Sequence, residues 1–567
     1  MYLRVTKVKQ KRGLAEFVQL VESVRDPETS VPRARIIQHL GRKDQLDIEG
    51  LKRLVKSISR FTDDPAATQG SLFDVAAFEK DKSGFEFTGA RSVGAVWLLD
   101  GLWKRFGIDH ILGKLLAERA FTTPIERLLF ALVANRAVAP GSKLAMEDWV
   151  AKDVLVPGLP AVGSEQLYRA MDFLLLANEA IQKAVFFGVA TLLNLEVDVV
   201  FLDTTSTYFE IEAEDDEDPE ARMHLRQRGK SKDNHPELPQ VVIGFAMTRQ
   251  GIPVRCWTWP GNTGDQTILE EVKRDLNGWK LGRVVTVADA GFNSEKNRRI
   301  LQQAGGHYIL GERLRAGNTG EPVEALSRGG RYTTYDDGLE MKEVKIGEPG
   351  AADYRRYVVV KNPEMGRRDK AKRDDIVKAV ETEMEKLKKI KDDDAHHKAE
   401  CVLTAHKTFG RYVTQTPKGR LALNRAKIAQ EERCDGKFMI SSSDHSMSAE
   451  DIMYGYKALW AIERTFRDMK HVLDLRPVYH RLSDRIRAHV LLCWLAMVLV
   501  RVAESETGET WASLRMDMGR QMLGSFQCKQ KEFLHISRPT VRQAAAYKAC
   551  KVTLPPLIYL ETAPQEG

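Results

Sequence analysis

Three acidic residues occupy positions from which they could share one reaction centre. Asp203 and Asp289 each end a short apolar run, and Glu463 stands much later in the chain, among basic residues. If the aspartates lie at the carboxyl ends of neighbouring buried strands, and the glutamate on a helix packed over them, the carboxylates converge. Converging carboxylates cannot all stay ionised without cations, and oxygen ligands favour Mg²⁺ or Mn²⁺ over zinc. Two such ions, roughly 4 Å apart, would activate an attacking oxygen and stabilise a leaving one in phosphodiester chemistry. Taken singly, Asp203 is better explained as a cap or turn residue, so only the convergence favours catalysis.

The elements that must position the two aspartates are predicted from apolar periodicity. Val199–Leu202 is a continuous apolar run typical of a buried strand, and two later runs carry a hairpin signal between them at Arg249-Gln250-Gly251. The predicted order is strand, strand, strand, helix, strand, with one aspartate ending the first strand and the other ending the fourth. These elements are Val197–Asp203, Val241–Met247, Val254–Trp259, Gly264 to about Leu276, and Gly282–Ala288.

The segment Tyr456–Lys470 is predicted to be a single helix that holds Glu463. Its apolar residues recur at the spacing of a helix packed on a core; they are Leu459, Ile462, Phe466 and Met469, continued by Leu473. Because Tyr456, Glu463 and Lys470 are spaced by seven residues, they fall on one stripe of such a helix. A carboxylate between a phenol and an ammonium suits an anionic substrate that arrives with a metal. For this helix alone, an amphipathic helix with solvated charges is the simpler interpretation. Ser448 is the predicted N-cap of the helix, with Asp451 at capping-box spacing.

Charge is unevenly distributed along the 567 residues, which are enough for about two to four domains. The formal net charge is +7, whereas residues 1–60 alone hold 14 Lys/Arg and 7 Asp/Glu, a balance of 14 − 7 = +7. A basic N-terminal module suggests a polyanionic partner such as DNA or RNA. On charge alone, a solvated surface explains it equally well. Further basic residues in a helical stretch could line a DNA-facing surface or lie on solvated faces; they are Arg119, Arg127, Arg136 and Lys143.

The cysteines and apolar runs predict a protein of the reducing cytoplasm. The six cysteines are scattered without a CxxC pair, which argues against a zinc ribbon and a disulfide framework. The N-terminus lacks the apolar segment of a secretory signal. The longest apolar run, Val490–Val500, is too short to span a bilayer and is predicted to be a buried core helix.

Three other features have a simpler explanation than function. Trp259 and Trp460 could stack on an extruded base, but core or interface packing is the favoured interpretation. The acidic run Glu212–Glu220 could hold metal, but a solvated loop is favoured.

Several segments, in this order, resemble DDE transposases of insertion sequences, in the broad IS4-like group and nearest its IS1634 branch. They are FLDTTSTYFE (Phe201–Glu210), GKSKDNHPELPQ (Gly229–Gln240), GNTGDQTIL (Gly261–Leu269), VADAGFNSEKN (Val287–Asn297), DGKFMISSSDHSMSAEDIMYGYKALWAIERTFRDMK (Asp435–Lys470) and LDLRPVYHRLSDRIRAHVLLCWLA (Leu473–Ala496). The resemblance implies an α/β, RNase H-like catalytic core in which Asp203, Asp289 and Glu463 bind two Mg²⁺ or Mn²⁺ ions as the catalytic triad.

The family's last signature is Tyr-x2-Arg-x3-Glu-x6-Lys, and the chain departs from it at one position. Tyr456, Glu463 and Lys470 match, but Leu459 stands in the arginine slot. Lys457, Arg464 or Arg467 could replace the phosphate contact of that arginine. Of these, Arg467, one turn beyond Glu463, is the most natural substitute. The DNA-binding residues that the resemblance implies are therefore Tyr456, Arg464, Arg467 and Lys470.

The resemblance and the composition together predict the domain organisation. A basic N-terminal module and a helical domain, both expected to bind DNA, precede a catalytic domain that carries a large mixed β/helical insertion. A helical C-terminal region is expected to make dimer contacts. The boundaries are 1–60 for the module, 61–90 for a linker, 91–195 for the helical domain, 196–500 for the catalytic domain with its insertion at about 312–435, and 501–567 for the C-terminal region.

The implied reaction is DNA end cleavage that frees a 3′-OH, followed by attack of that hydroxyl on target DNA. The expected partners are the double-stranded element ends and target DNA, bound by a homodimer in the cytoplasm at the nucleoid, without a membrane. Two alternatives remain open: a structure-specific nuclease on the same fold, which cuts without joining, and a non-catalytic DNA-binding derivative.

Overall fold

The structure, a computed structural model, describes most of the 567-residue chain. It describes residues 2–42 and 85–559, apart from 11–12, 26–31, 118, 120–122, 193–198, 212–213, 216–223, 278–283, 316–319, 336–337, 349–353, 418 and 529–530. The chain divides into two units, residues 1–86 and residues 87–567.

The first unit contains a three-stranded antiparallel sheet, and the alternation of Leu3 and Val5 with polar neighbours predicts strand structure at its start. Its strands are β1 (Tyr2–Gln10), β2 (Gly13–Arg25) and β3 (Pro32–Arg42), with β2 in the middle. Val18 and Val21 of the central strand are buried. For this part of the chain the sequence also predicts a helix near Leu46–Ser59, and that segment lies outside the described residues, as does most of the linker predicted for 61–90. The last part of that linker is a strand instead, β4 (Phe85–Ser92).

Helices follow β4, as predicted for residues 91–195. They are α1 (Gly94–Arg105), α2 (Ile108–Ala117), α3 (Ile125–Val138), the short α4 (Ala145–Asp148) with a π-helical turn after it, and α5 (Ser164–Leu192). Their buried apolar residues form one continuous core with those of the central sheet and of the late helices. The helical region is therefore packed into the same unit as the sheet.

One late helix lies at the centre of this core. This helix, α14 (Ser483–Thr507), is apolar on all sides and contacts α3, α5 and the central sheet, which is the pattern of a fully buried helix. By length and composition it could cross a membrane, as could Ser164–Thr191, but 94% of its most apolar window is buried within the protein, against 44% for the other. The prediction that Val490–Val500 forms a buried core helix is confirmed.

A nine-stranded mixed sheet organises the second unit. Its first five strands in the chain are β5 (Val199–Tyr208), β6 (Gln240–Met247), β7 (Pro253–Pro260), β8 (Val285–Ala288) and β9 (His307–Gly311), with α6 (Leu269–Asn277) before β8 and α7 (Glu295–Gln302) after it. In space these strands are ordered β7-β6-β5-β8-β9. The first three pair antiparallel, while β8 pairs parallel with both β5 and β9. The predicted order of strand, strand, strand, helix, strand is confirmed.

The predicted insertion extends the same sheet beyond β9. Its elements are α8 (Glu321–Ser327), β10 (Thr333–Thr334), β11 (Glu340–Ile346), β12 (Arg355–Lys361), α9 (Pro363–Leu387), α10 (Asp393–Ala405), β13 (Val413–Gln415), β14 (Leu421–Leu423) and α11 (Arg425–Glu432). Next comes β15 (Lys437–Ser442), which pairs antiparallel with both β12 and β9. The sheet order therefore continues from β9 through β15 and β12 to β11 and β10.

The chain ends in a mixed region rather than the helical one predicted for 501–567. After α12 (Ala449–Lys457), α13 (Leu459–His471) and α14 come α15 (Trp511–Met518), β16 (Met522–Cys528), β17 (Lys531–Ile536), α16 (Val541–Ala549) and β18 (Ile558–Tyr559). The four-stranded sheet β18-β17-β16-β4 corrects the helical prediction. These strands form because apolar and polar residues alternate along them, which buries Leu523, Leu534 and Ile536 against Val93 and Leu155.

Candidate active site

Strand register brings Asp203 and Asp289 together. The parallel pairing of β5 with β8 runs from Val199↔Val285 to Leu202↔Ala288, so the next residue on each side is an aspartate, Asp203 within β5 and Asp289 directly after β8. Neighbouring strands lie about 4.8 Å apart. The register therefore places the first two carboxylates next to each other, at the end of the β5–β8 pairing, as predicted.

Asp203 does not end its strand, as the sequence predicted, but lies in the middle of it. Strand β5 continues to Tyr208 and stays paired with β6 throughout, from Phe201↔Met247 to Tyr208↔Gln240. The residues after Asp203 are Thr, Thr, Ser, Thr and Tyr, mostly β-branched or aromatic types that favour strands despite their polarity. Only the pairing with β8 ends before Asp203.

The predicted single helix Tyr456–Lys470 is two helices. α12 ends at Lys457 and α13 begins at Leu459, with Ala458 as the turn between them. Ser448 caps α12 by accepting a hydrogen bond from the Asp451 N–H, as predicted. The apolar residues of the segment, Leu459, Ile462, Phe466, Met469 and Leu473, are all buried, also as predicted. Tyr456 and Glu463 therefore project from different helices, and the single stripe is wrong.

The three predicted carboxylates line one cavity of about 450 Å³. Asp203, Asp289 and Glu463 line it together with Tyr456, and its remaining wall is mostly apolar. The other lining residues are Leu339, Asn362, Met365, Phe438, Lys457, Leu459 and Trp460. Four of them, from Leu339 to Phe438, come from the insertion and from β15. Trp259 is buried as predicted, whereas Trp460 is 76% exposed at this cavity and does not pack in the core.

Asp203 lies in a recessed and negatively charged environment. Its side chain is 21% exposed, and burial, followed by the nearby charges of Asp265 and Asp289, raises its pKa to about 6. The Lys232 ammonium and the Thr204 N–H act in the opposite direction; the N–H donates to Asp203 Oδ1 at 2.7 Å. The pKa of Asp203 is therefore raised first by burial and only then by the neighbouring carboxylates, and added positive charge would stabilise its ionised form.

Asp289 is held by Tyr456. The tyrosine hydroxyl donates to Asp289 Oδ1 at 3.0 Å, and burial together with this carboxylate raises the pKa of Tyr456, so it stays a donor. A Cβ on Gly311 would lie 2.2 Å from that hydroxyl, so the end of β9 must be glycine for the ring to fit. Asn293 donates to the Gly311 carbonyl at 2.7 Å and ties the loop after Asp289 to the same strand end.

Sequence reasoning missed three polar residues around Asp203. The Lys232 ammonium is 3.9 Å from Asp203 Oδ1 and 3.6 Å from Asp265 Oδ2. It donates to the carbonyl and the hydroxyl of Thr204 at 2.7 and 2.6 Å, and the Thr204 hydroxyl donates to Asp265 Oδ1 at 2.5 Å. Lys232 and Asp265 belong to two of the segments that carry the family resemblance, GKSKDNHPELPQ and GNTGDQTIL. Those motifs were the available signal, but nothing in their spacing predicts the contact.

The basic residues predicted to bind DNA are placed differently from one another. Arg467 is exposed, and Arg464 is exposed with its Nε 3.7 Å from Asp468. Lys470, by contrast, is only 9% exposed and donates to Asp233 at 2.8 Å. It is not among the residues that line the carboxylate cavity. The structure therefore brings Tyr456 to the carboxylates and leaves Lys470 at a separate ion pair.

The carboxylate cavity has the donor chemistry of a site for a hard divalent cation. Asp203, Asp289 and Glu463 supply oxygen ligands, and the burial and mutual repulsion at Asp203 are what a bound cation would relieve. Among the described residues, no three His, Cys, Asp or Glu side chains are grouped closely enough to form a preassembled metal site. The residues fit the ion chemically.

Comparison with known proteins decides the family. The N-terminal domain of IS1634 family transposases matches residues 3–69, and the transposase DDE domain matches residues 240–499. The chain belongs to the IS1634 family of DDE transposases. The matched DDE segment contains Asp289 and Glu463, and it begins after Asp203. The chain is thus an insertion-sequence transposase, as the motif resemblance implies.

Other comparisons are more distant. No curated protein sequence matches this transposase. Among solved structures, a piggyBac transposase synaptic complex with hairpin DNA is similar at 10% identity, with a TM-score of 0.32, over 74% of this chain and 76% of that one.

Replacing Lys232 should destabilise the protein in the absence of metal, because the carboxylates of Asp203 and Asp265 lose a nearby positive charge. Lys232→Met removes the cation that faces both Asp203 and Asp265. The free energy of unfolding in metal-free buffer should therefore fall by about 1 kcal/mol, which lowers the melting temperature. Added Mg²⁺ should recover more of the melting temperature in this variant than in the parent. Lys230→Met, which removes an exposed lysine from the same motif, is the control and should melt like the parent. Equal melting of all three proteins without metal would mean that Lys232 does not offset the carboxylates.

Proposed function

We propose that this transposase cleaves its element ends and joins them to target DNA at the cavity lined by Asp203, Asp289 and Glu463, on an RNase H-like core. The observation that carries the proposal is the β5–β8 register, which puts two aspartates side by side, while Glu463 lines the same cavity from α13. The strand order β7-β6-β5-β8-β9 supports the RNase H-like assignment. Numbered by their order in the chain, these strands are the third, second, first, fourth and fifth of the domain. Asp203 lies on the first strand and Asp289 directly follows the fourth.

The metal-binding role is proposed for the same three carboxylates. Two Mg²⁺ or Mn²⁺ ions, when bound there, would polarise the scissile phosphate and lower the pKa of an attacking water or hydroxyl. Tyr456 holds Asp289 in place through its hydroxyl, and Lys232 and Thr204 hold Asp203. The apolar wall restricts water beside the carboxylates, which strengthens electrostatic interactions in the cavity.

DNA contacts are proposed for the exposed basic side chains of α13. Arg467 lies one turn beyond Glu463 and is exposed, so it can reach a phosphate in place of the arginine that the family carries where this chain has Leu459. Arg464 is exposed beside it, and Tyr456 lines the cavity. Lys470 can reach a phosphate only by leaving Asp233.

The remaining assignments follow from the reaction. Two element ends must be held together, so we propose that the transposase acts as a homodimer on DNA in the cytoplasm, at the nucleoid. We assign end binding to the basic residues 1–60 together with the helical region, and dimer contacts to residues 501–567.

The assay that tests this function uses the full-length protein, Mg²⁺ and a duplex that carries the element's own end, with a supercoiled plasmid as target. We expect nicked or double-strand-cut ends that carry a 3′-OH, followed by joined products, and neither product in EDTA. Cutting without joining would favour a structure-specific nuclease. Tight binding with neither product would favour a non-catalytic DNA-binding protein.

A further inference from the structure

A second cavity, of about 320 Å³, is rich in basic side chains and is separate from the carboxylate cavity. It lies between the C-terminal end of α3 with the loop that follows, the segment 474–480, and the first half of α14. The residues that matter for its chemistry are Arg136, Lys143, Asp474, Arg476, His480 and His489.

Arg136 and Lys143 are buried cations without a carboxylate partner. They are 6% and 7% exposed, and in the described part of the chain neither forms an ion pair within 4.0 Å of a carboxylate oxygen. The Arg136 guanidinium donates to backbone carbonyls, those of Gly141 and, at 3.3 Å, Asp474. From the sequence, these two residues could line a DNA-facing surface or lie on solvated faces; in the structure both are buried beside the cavity.

The partner of Lys143 is a neutral imidazole. Its ammonium lies 3.3 Å from Nδ1 of His489, and the other ring nitrogen of His489 lies 3.1 Å from the Leu475 carbonyl. Because a carbonyl can only accept, Nε2 must carry the ring proton and Nδ1 must accept from Lys143. Burial and the neighbouring cations lower the pKa of His489, which keeps the ring neutral. The hydrogen bond to the neutral His489 ring therefore brings no negative charge to the Lys143 ammonium.

The remaining charges around this cavity do not neutralise the two cations. Asp474 is the only carboxylate that lines the cavity among the described residues, and its side chain is exposed to solvent. Arg476 adds a further cation, which is paired with Asp233 at 3.3 Å. Burying unpaired cations is unfavourable, and an anion that enters the cavity would offset that cost.

We propose that this cavity binds one phosphate of the DNA backbone, at a position displaced along the strand from the scissile phosphate. The proposal rests on the proposed function, because it assumes that element-end DNA lies across the carboxylate cavity. Segment 474–480 directly follows α13, which carries Glu463, and the helix rises by about 12 Å from Glu463 to His471. A duplex advances about 3.4 Å per nucleotide of one strand. The phosphate in question is therefore roughly three to six nucleotides from the cleavage site.

The test combines phosphate-ethylation interference on the parent protein with binding by a charge variant. On end DNA in EDTA, ethylation of a phosphate several nucleotides from the cleavage site should block binding by the parent. Lys143→Met should lose that interference, bind the end roughly five- to tenfold more weakly, and show a salt slope smaller by about one. Its melting temperature without DNA should change little, because removal of a buried cation without a carboxylate partner offsets the loss of the hydrogen bond to His489 Nδ1.

Lys152→Met is the matched control, because it removes one lysine charge from the same region at an exposed i,i+4 pair with Asp148. It should keep the interference pattern and the salt slope. Inorganic phosphate that raises the melting temperature of the parent, while Lys143→Met binds DNA normally, would identify a small-anion site and overturn the proposal. Absence of any interfering phosphate away from the cleavage site would overturn it as well. If the parent cuts and joins normally in either case, the proposed function stands and only this inference fails.

Discussion

Glu463→Gln should abolish both end cleavage and strand transfer while leaving end binding intact. The change keeps the shape of the side chain and removes the negative charge that Glu463 contributes to the carboxylate cavity. If the glutamate is a metal ligand, the loss of several kcal/mol of transition-state stabilisation should lower both rates by about a thousandfold or more. The measurement is product formation on end DNA in Mg²⁺, with binding followed separately in EDTA.

Glu450→Gln is the matched control for this experiment. Glu450 is exposed on the neighbouring helix α12 and does not line the cavity. It should cut and join at the parent rate. Activity that survives Glu463→Gln would show that another carboxylate completes the site, and Asp265, which faces Lys232 beside Asp203, would be the next to test.

Gly261→Ala should be the most destabilising single substitution in the motifs around the site. A Cβ at this position would lie 2.0 Å from the Gln227 carbonyl oxygen and 2.2 Å from that of Gln240. Both atoms belong to backbone, and Gln240 is fixed as the first residue of β6, so neither can move aside cheaply. The free energy of unfolding should fall by about 3 kcal/mol, measured as a lower midpoint in thermal or urea unfolding.

Gly264, in the same GNTG motif, provides the control. A Cβ there would meet no atom within 4 Å, so Gly264→Ala should change stability by no more than about 0.5 kcal/mol. Gly229 should behave like Gly261, because its Cβ would lie 2.1 Å from the Gly261 carbonyl oxygen. An unchanged midpoint for Gly261→Ala would mean that the two motifs do not pack backbone to backbone.

The central sheet and its first two acids were predictable because they depend on local patterns. Continuous apolar runs define β5 and β8, and the carboxyl ends of neighbouring parallel strands meet by geometry. The buried helix around Val490–Val500 was equally clear, since a run without polar breaks has to lie in a core. The C-terminal hairpin was missed because the alternation in β16 and β17 is short and mixed with Ser, Gln, Cys and Lys residues.

The remainder of the site depends on contacts that sequence spacing does not encode. The turn at Ala458 interrupts a helical period without a glycine or proline, so the segment read as one helix. The approach of Lys232 to Asp203 depends on a loop folding back over β5. The burial of Arg136 and Lys143 contradicts the strong tendency of such residues to lie at the surface, and only the packed structure reveals it.

The continuous sheet limits which parts of the carboxylate cavity can change independently. Because β15 pairs with β9 through Ile309–Gly311, and with β12 on its other side, the predicted insertion (residues 312–435) is joined to the strands beside the carboxylate cavity by backbone hydrogen bonds and not by a loop alone. Its Leu339, Asn362 and Met365 form one side of the cavity that holds the carboxylates. An exchange of this insertion between relatives therefore has to preserve the edge of β12 that β15 recognises. Within that constraint, the side chains of this cavity wall can change while Asp203 and Asp289 stay where β5 and β8 place them.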